Sequence, residues 1–269
     1  MPSSLHPATH EMRTYPLLRA VRHTPLVRSL VFPSPFPSFR PGRFLMLWLP
    51  GHGEKPFSVS AFSAEETEIT FKAVGPFTRA LMDVPPGTRL GLRGPFGNGF
   101  DPRPGALLVA GGIGIPPIRH LAAELEAAGR PFRAVVAAAT AADLLFRGDF
   151  DRWGAAYATE DGSFGFRGNP IPLAEAAIRR APPSVLCACG PAPMLLALRD
   201  LARRHSIPLQ LSFERYMKCG IGLCGSCAVD GSGICLCREG PVLDDAALDR
   251  ATDLHLPPRG PDGGRPPRP

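Results

Sequence analysis

No stretch of the chain reaches the ~18 uninterrupted apolar residues of a membrane-spanning helix, and Met1 to Glu11 has no charged head followed by an apolar core. A cytoplasmic protein without a membrane partner is therefore expected. The chain also lacks clustered Lys and Arg interleaved with aromatics, the usual footprint of nucleic-acid binding. Its 30 basic against 24 acidic residues give a net charge of +6, part of it from Arg259, Arg265 and Arg268 in a Pro/Gly-rich tail. A generally basic surface accounts for this excess, and no nucleic-acid partner is expected. No internal repeat is visible. A reducing compartment disfavours structural disulfides, so the seven cysteines read as metal ligands or redox groups where they cluster.

What is present is enough apolar residue, 44% of 269, for about two domains and a small third unit. From residue 12 to 100 short β-like runs, Pro25 to Phe32, Arg43 to Leu49, Phe57 to Ala61, Glu68 to Val74 and Thr88 to Arg93, alternate with Pro and Gly turns, the pattern of an antiparallel β-barrel. Residues 101–210 change texture. An apolar strand (Ala106 to Ala110), a Gly-rich turn, a helix (Ile118 to Ala128) and a second apolar strand (Phe132 to Ala139) predict a βαβ unit and hence a parallel sheet. A further strand, Ser184 to Cys189, precedes a helix over Ala192 to His205. Residues 211–256 form a cysteine-dense third segment, and 1–11 and 257–269 are expected to be disordered.

Cys219, Cys224 and Cys227 are spaced C-x4-C-x2-C, with Cys235 and Cys237 downstream, which is the plant-type [2Fe–2S] spacing. Thiolates must converge on two irons from one short loop, and Gly220, Gly222 and Gly225 let backbone N–H groups approach the sulfurs. Zinc is the main alternative, but zinc ribbons pair two short-spaced couples. Geometry alone leaves Cys235 and Cys237 both open as the fourth ligand, since residues two apart on an extended segment point the same way. Gly111, Gly112 and Gly114 lie between an apolar strand and a helix, where a diphosphate can meet bare N–H groups and the positive helix end. Cys189, Gly190 and Pro191 end a second strand at the same sheet edge. Cys187, inside that strand, reads as a small core residue. After the strand ending near Ala139, Thr140 to Asp143 offers an acidic residue and no Arg for a 2′-phosphate, which favours NAD, although Arg147 lies close by.

In this order Lys55-Pro56-Phe57-Ser58, Gly111 to Pro117 and Cys189 to Pro191 resemble the flavin, nicotinamide-nucleotide and Cys-Gly-Pro motifs of the ferredoxin–NADP reductase superfamily. Gly94 to Phe100, Ala158 to Gly165, Cys219 to Cys227 and Cys237-Arg-Glu-Gly-Pro-Val242 sharpen the resemblance to the electron-transfer subunit of class 1B, NAD-dependent dihydroorotate dehydrogenase, over about residues 12 to 245. The resemblance implies an FAD-binding barrel, an NAD-binding α/β domain and a C-terminal [2Fe–2S] unit. It places flavin contacts at Lys55, Pro56, Phe57, Ser58, Thr70, Phe71, Lys72, Phe77 and Thr78, and it favours Cys237 as fourth ligand. It also implies an FMN-containing catalytic partner in a two-plus-two heterotetramer, with electrons passing through the cluster and FAD to NAD+ in pyrimidine biosynthesis. No general acid or base is nominated, because the cofactors carry the chemistry.

The family usually carries Arg at the position of Lys55, Gly at Phe77 and Ala at Pro116, and a longer spacing between the last two ligands. Two competing readings remain at this stage. One is an FAD/[2Fe–2S] reductase subunit of another complex, of hydrogenase, bifurcating transhydrogenase or oxygenase type. The other is a flavin-free, zinc-binding regulatory protein.

Overall fold

The computed structural model describes residues 9–256 together with 259, 260 and 264, and these form two seven-stranded sheets and a two-stranded ribbon. The first sheet is built from β1 (Thr9–Pro16), β2 (Arg19–Thr24), β3 (Val27–Pro33), β4 (Phe44–Leu49), β5 (Gly53–Phe62), β6 (Glu66–Lys72) and β7 (Arg89–Phe96), with helix α1 (Pro76–Leu81) before the last strand. All its pairings are antiparallel, in the order β1-β7-β4-β5-β6-β3-β2. Alternation along the strands sends Leu30, Leu47, Val59, Ile69 and Leu92 into one barrel core. It turns Ser29, Ser60 and Thr70 to the opposite face. That face is buried as well, because the α/β unit that follows packs on it.

β1 and β2 lie outside the runs expected from sequence. Their residues are largely polar and none of those described from 10 to 16 or 19 to 24 is buried, so they show no apolar alternation; only pairing to β7 and β3 makes them strands. The expectation that residues 1–11 are disordered is corrected for 9–11, which belong to β1, with Thr9 paired opposite Gly94. The remainder of that expectation, and nearly all of 257–269, lies outside the described residues.

The second sheet comes from β8 (Ala106–Gly111), α2 (Ile115–Ala127), β9 (Phe132–Ala138), α3 (Arg147–Arg152), β10 (Ala156–Thr159), β11 (Phe166–Arg167), α4 (Ile171–Arg180), β12 (Leu186–Cys189), α5 (Ala192–Arg204) and β13 (Leu209–Ser212). These strands are parallel in the order β11-β10-β9-β8-β12-β13. Helix α2 covers one face and α4 with α5 the other, so β8 is apolar at every position. β8 and β12 diverge in connectivity at the sheet's switch point, and a ligand crevice belongs outside their carboxyl ends.

The cysteine segment adds the ribbon β14 (Ala228–Val229) and β15 (Ile234–Cys235), then β16 (Val242–Asp244) and α6 (Asp245–Arg250). β16 pairs antiparallel with β13 and closes the edge of the second sheet. A boundary at 210/211 therefore cuts β13. Cys227, Ile234, Leu236 and Cys237 share one buried cluster with Leu209 and Leu211 of the sheet and Phe44 and Met46 of the barrel. The third segment is packed into both larger units, and its own short ribbon could not bury a core unaided.

Candidate functional site

The loop 219–227 runs between β13 and the ribbon and folds back so that its thiols engage in pairs. Cys219 interacts with Cys224, and Cys227 with Cys237. Backbone amides point at the sulfurs: Gly222 N donates to Cys237 Sγ at 3.0 Å, Ile221 N to Cys219 Sγ and Cys237 N to Cys227 Sγ, both at 3.4 Å. Gly222 holds φ at +79°, and a Cβ there would stand 2.7 Å from Arg238 Cδ, so no other residue fits without displacement.

The electrostatics favour thiolate at Cys224 and Cys227. Burial opposes charge at Cys224, but hydrogen bonding from Ser226 and Cys219 outweighs it and lowers the pKa to about 6. The hydrogen bond between Cys227 and Cys237 lowers the first to about 7 and raises the second. Among the described residues no three His, Cys, Asp or Glu side chains are arranged to hold a single metal ion. Two thiols per iron is the requirement of a [2Fe–2S] cluster, and the pairing and N–H···S bonds fit that group. Cys235 also lies beside Cys227, but its own amide is bonded to Glu239 and no backbone donor reaches its sulfur in the described structure.

The glycine turn leaves β8 and enters α2. Gly111 and Gly112 line a cleft of about 530 Å³, together with Asp143, Glu160, Asn169 and Pro191. A Cβ at Gly112 would meet nothing within 4 Å, leaving its backbone open to the cleft. Gly114 has the opposite role: an added Cβ would lie 2.3 Å from the Cys189 carbonyl oxygen, so this glycine lets the turn press against the end of β12. Gly190 likewise sits against Met194 and supports the cleft without lining it. The bare amides, the helix start and the size of the cleft suit a dinucleotide.

A second cavity, of about 310 Å³, opens between the barrel and the nucleotide sheet. Lys55, Pro56, Phe57, Ser58, Thr70, Phe71, Lys72 and Thr78 line it from the barrel side. Cys189, Ser212 and Glu214 face them from the carboxyl ends of β12 and β13. Aromatic rings with scattered hydroxyls and cations are a suitable bed for a flavin. Phe77 is the exception among the predicted contacts. Its ring is buried in the barrel core, stacked on Phe57 at 6.1 Å, and it does not line the cavity, because α1 turns that position inward. Lys72 and Ile113 line both cavities, so the two are contiguous. Burial, then Glu214, pushes the Cys189 thiol up to about 12, which keeps it neutral. Cys187 is fully buried in the sheet core.

Other residues at these sites carry no sequence signal. Tyr216 accepts from Lys55 Nζ at 2.8 Å, with the ammonium also 4.4 Å from the ring centroid. Arg93 holds Glu54 with two hydrogen bonds and donates to the Cys219 carbonyl at 2.8 Å, joining β7 to the cysteine loop. Glu214 stands at the cavity wall, where desolvation raises its pKa. Each depends on contacts between units far apart in sequence.

Residues 214–249 match the family described as the iron-sulfur cluster binding domain of dihydroorotate dehydrogenase B. The chain is 38% identical over 225 residues to the probable dihydroorotate dehydrogenase B (NAD(+)), electron transfer subunit, of Methanocaldococcus jannaschii, covering 83% of this chain and 86% of that one. It is 42% identical over 214 residues to the protein of the same description from Thermococcus kodakarensis, covering 78% and 87%. A solved NADH-dependent reduced ferredoxin-NADP oxidoreductase, described in connection with flavin-based electron bifurcation, superposes with a TM-score of 0.76 at 26% identity, covering 88% of this chain and 92% of that one.

Proposed function

The chain belongs to the electron transfer subunits of dihydroorotate dehydrogenase B, and on that premise we propose how its residues divide the work of the relay. It is an oxidoreductase subunit of pyrimidine biosynthesis that uses FAD, a [2Fe–2S] cluster and NAD and serves a catalytic partner subunit. Cys219, Cys224, Cys227 and Cys237 hold the cluster, each pair on one iron, with the amides of Ile221, Gly222 and Cys237 stabilising the thiolates. Lys55 to Ser58, Thr70 to Lys72 and Thr78 bed the flavin. Gly111, Gly112 and Pro191 receive the nicotinamide nucleotide, Gly114, Cys189 and Gly190 shape the floor beneath it, and Asp143 and Glu160 disfavour a 2′-phosphate. Bound flavin converts one-electron traffic with iron into the hydride that nicotinamide accepts.

The observation that carries this reading is contiguity. The flavin cavity shares Lys72 and Ile113 with the nucleotide cleft, and its Phe44 and Met217 belong to the same packed cluster as Cys227 and Cys237. A protein that moves electrons through three groups must place them in this sequence.

The partner is read as an FMN-containing subunit in a two-plus-two assembly, in the cytoplasm, docking over the cysteine loop. Support for that surface comes from Leu223, 83% exposed beside the exposed Cys224. An exposed Leu in a charged surface is unremarkable alone, but at the tip of a redox loop it suits a covered contact. An anaerobic spectrum with iron, zinc and flavin assays tests the reading. Two irons and one FAD, bleached by NADH, are expected in the wild type. Cys235→Ser should keep the iron and Cys237→Ser should lose it. A colourless zinc protein, or the reverse cysteine pattern, would overturn the assignment, and NADH formation from dihydroorotate should require the partner.

A further inference from the structure

A line of buried hydroxyls crosses the barrel face behind the flavin cavity. His23 Nε2 lies 2.7 Å from Ser29 Oγ, and Ser29 Oγ lies 2.7 Å from Thr70 Oγ1. Thr70 Oγ1 donates to Ser60 Oγ at 2.8 Å, and Ser60 Oγ donates to Glu68 Oε1 at 2.7 Å. Glu68 in turn accepts from Arg119 at 3.0 Å, and Arg119 is bound to Asp149 at 2.6 Å. Ser29, Ser60 and Thr70 are 1%, 1% and 5% exposed. His23 is half-buried, its ring edge-on to Phe146 with the centroids 4.9 Å apart. One end of the line thus reaches solvent at His23, and Thr70, two bonds inward, lines the flavin cavity. Cross-strand register explains the alignment, since Ser29 is paired opposite Thr70 and neighbouring core residues hold these side chains on one face.

The reaction creates a need for such a line. Two electrons arriving singly from the cluster reduce the flavin by two electrons only with uptake of one proton. The hydride that leaves for NAD+ then carries off both electrons and that proton, restoring the oxidised flavin. Each turnover therefore brings one proton from solvent to the flavin. We propose that His23, Ser29 and Thr70 form the proton route between solvent and the flavin, with Glu68, clamped by Arg119, terminating the hydroxyl chain on its far side. Hydroxyls both donate and accept, so one proton can pass by reorientation of the bonds. The groups facing His23 are Glu68, which favours its protonation, and Arg119, which opposes it; burial lowers its pKa below the ordinary 6.5, so it passes a proton on readily.

This inference rests on the placement of the flavin in the cavity above, and the test separates the two. The full chain, loaded with iron, sulfide and FAD, is followed by stopped flow in H2O and D2O across pH. Hydride transfer from NADH to the flavin needs no proton from the protein, whereas reoxidation by two ferricyanides releases one. In Ser29→Ala the hydride step should stay within about twofold, while reoxidation should slow on the order of tenfold or more with a larger solvent isotope effect. Ser29→Thr should restore it, and His23→Gln should slow it and flatten its pH profile. Independently of turnover, the 15N resonances of His23 in the full chain should move on Ser29→Ala. Equal slowing of both steps, or no change in either, would overturn the route. Normal iron with no bound FAD in the wild type would instead overturn the flavin placement, and the route with it.

Discussion

At Gly114 the structure leaves no room for a methyl group. An added Cβ would stand 2.3 Å from the Cys189 carbonyl oxygen and 2.6 Å from Gly190 N, both backbone atoms that cannot swing aside. Gly114→Ala should cost about 1–3 kcal/mol and push the turn out of the nucleotide cleft. Isothermal titration with NADH should show at least tenfold weaker binding, while iron content stays unchanged. His120 makes a prediction of a different kind. Burial, opposed by a hydrogen bond with Val59, holds its pKa down to about 4 against an ordinary 6.5. The unfolded chain protonates first as pH falls, so stability is complete above ~6.5 and declines by up to ~1.4 kcal/mol per pH unit until ~4. Thermal midpoints measured from pH 7.5 to 4.5 should fall less steeply in His120→Gln. The glycines and cysteines of the candidate site could be picked out in sequence because the chemistry proposed for them demands that residue type at that spacing. Ser29, Ser60 and His23 were not, since a polar residue alternating with an apolar one reads as a solvent-facing strand position.

Among the elements, β13 and β16 illustrate the limit of reading boundaries from texture. Leu209–Ser212 is only four residues long and carries Gln210, so it reads as the beginning of the cysteine segment, although its pairing partner β12 makes it a sheet strand. β16 returns after the cysteine loop and pairs with it, a join of 30 residues in sequence that no local pattern reveals. The central strands were legible because burial on both faces gives continuous apolar runs. Leu243 of β16 is fully buried in the cluster shared by sheet, barrel and cysteine loop. Leu243→Ala should cost about 2–5 kcal/mol. Iron loss and unfolding of the nucleotide sheet should then coincide in a denaturant titration. Separate transitions would mean that the third segment folds on its own.

Across the whole molecule, two arginines tie the units together. Arg119 of α2 reaches Glu68 of the barrel, and Arg93 of the barrel reaches both Glu54 and the Cys219 carbonyl. The Arg93 and Glu54 side chains are 12% and 20% exposed, so their ion pair is poorly screened. Removing Arg93 leaves Glu54 without its charge partner and the loop without its barrel anchor. Arg93→Gln should destabilise the chain by about 1–3 kcal/mol and quicken iron release to a chelator severalfold, while Glu54→Gln should affect stability more than iron release.

The exposure of Cys224 and Leu223 has a consequence for the protein when it stands alone. A conductor whose terminal is bare discharges into whatever touches it, and in air that is dioxygen. The solitary subunit fed with NADH should therefore consume oxygen, and a partner docked over that tip, as proposed above, would act as insulation as much as a source of electrons.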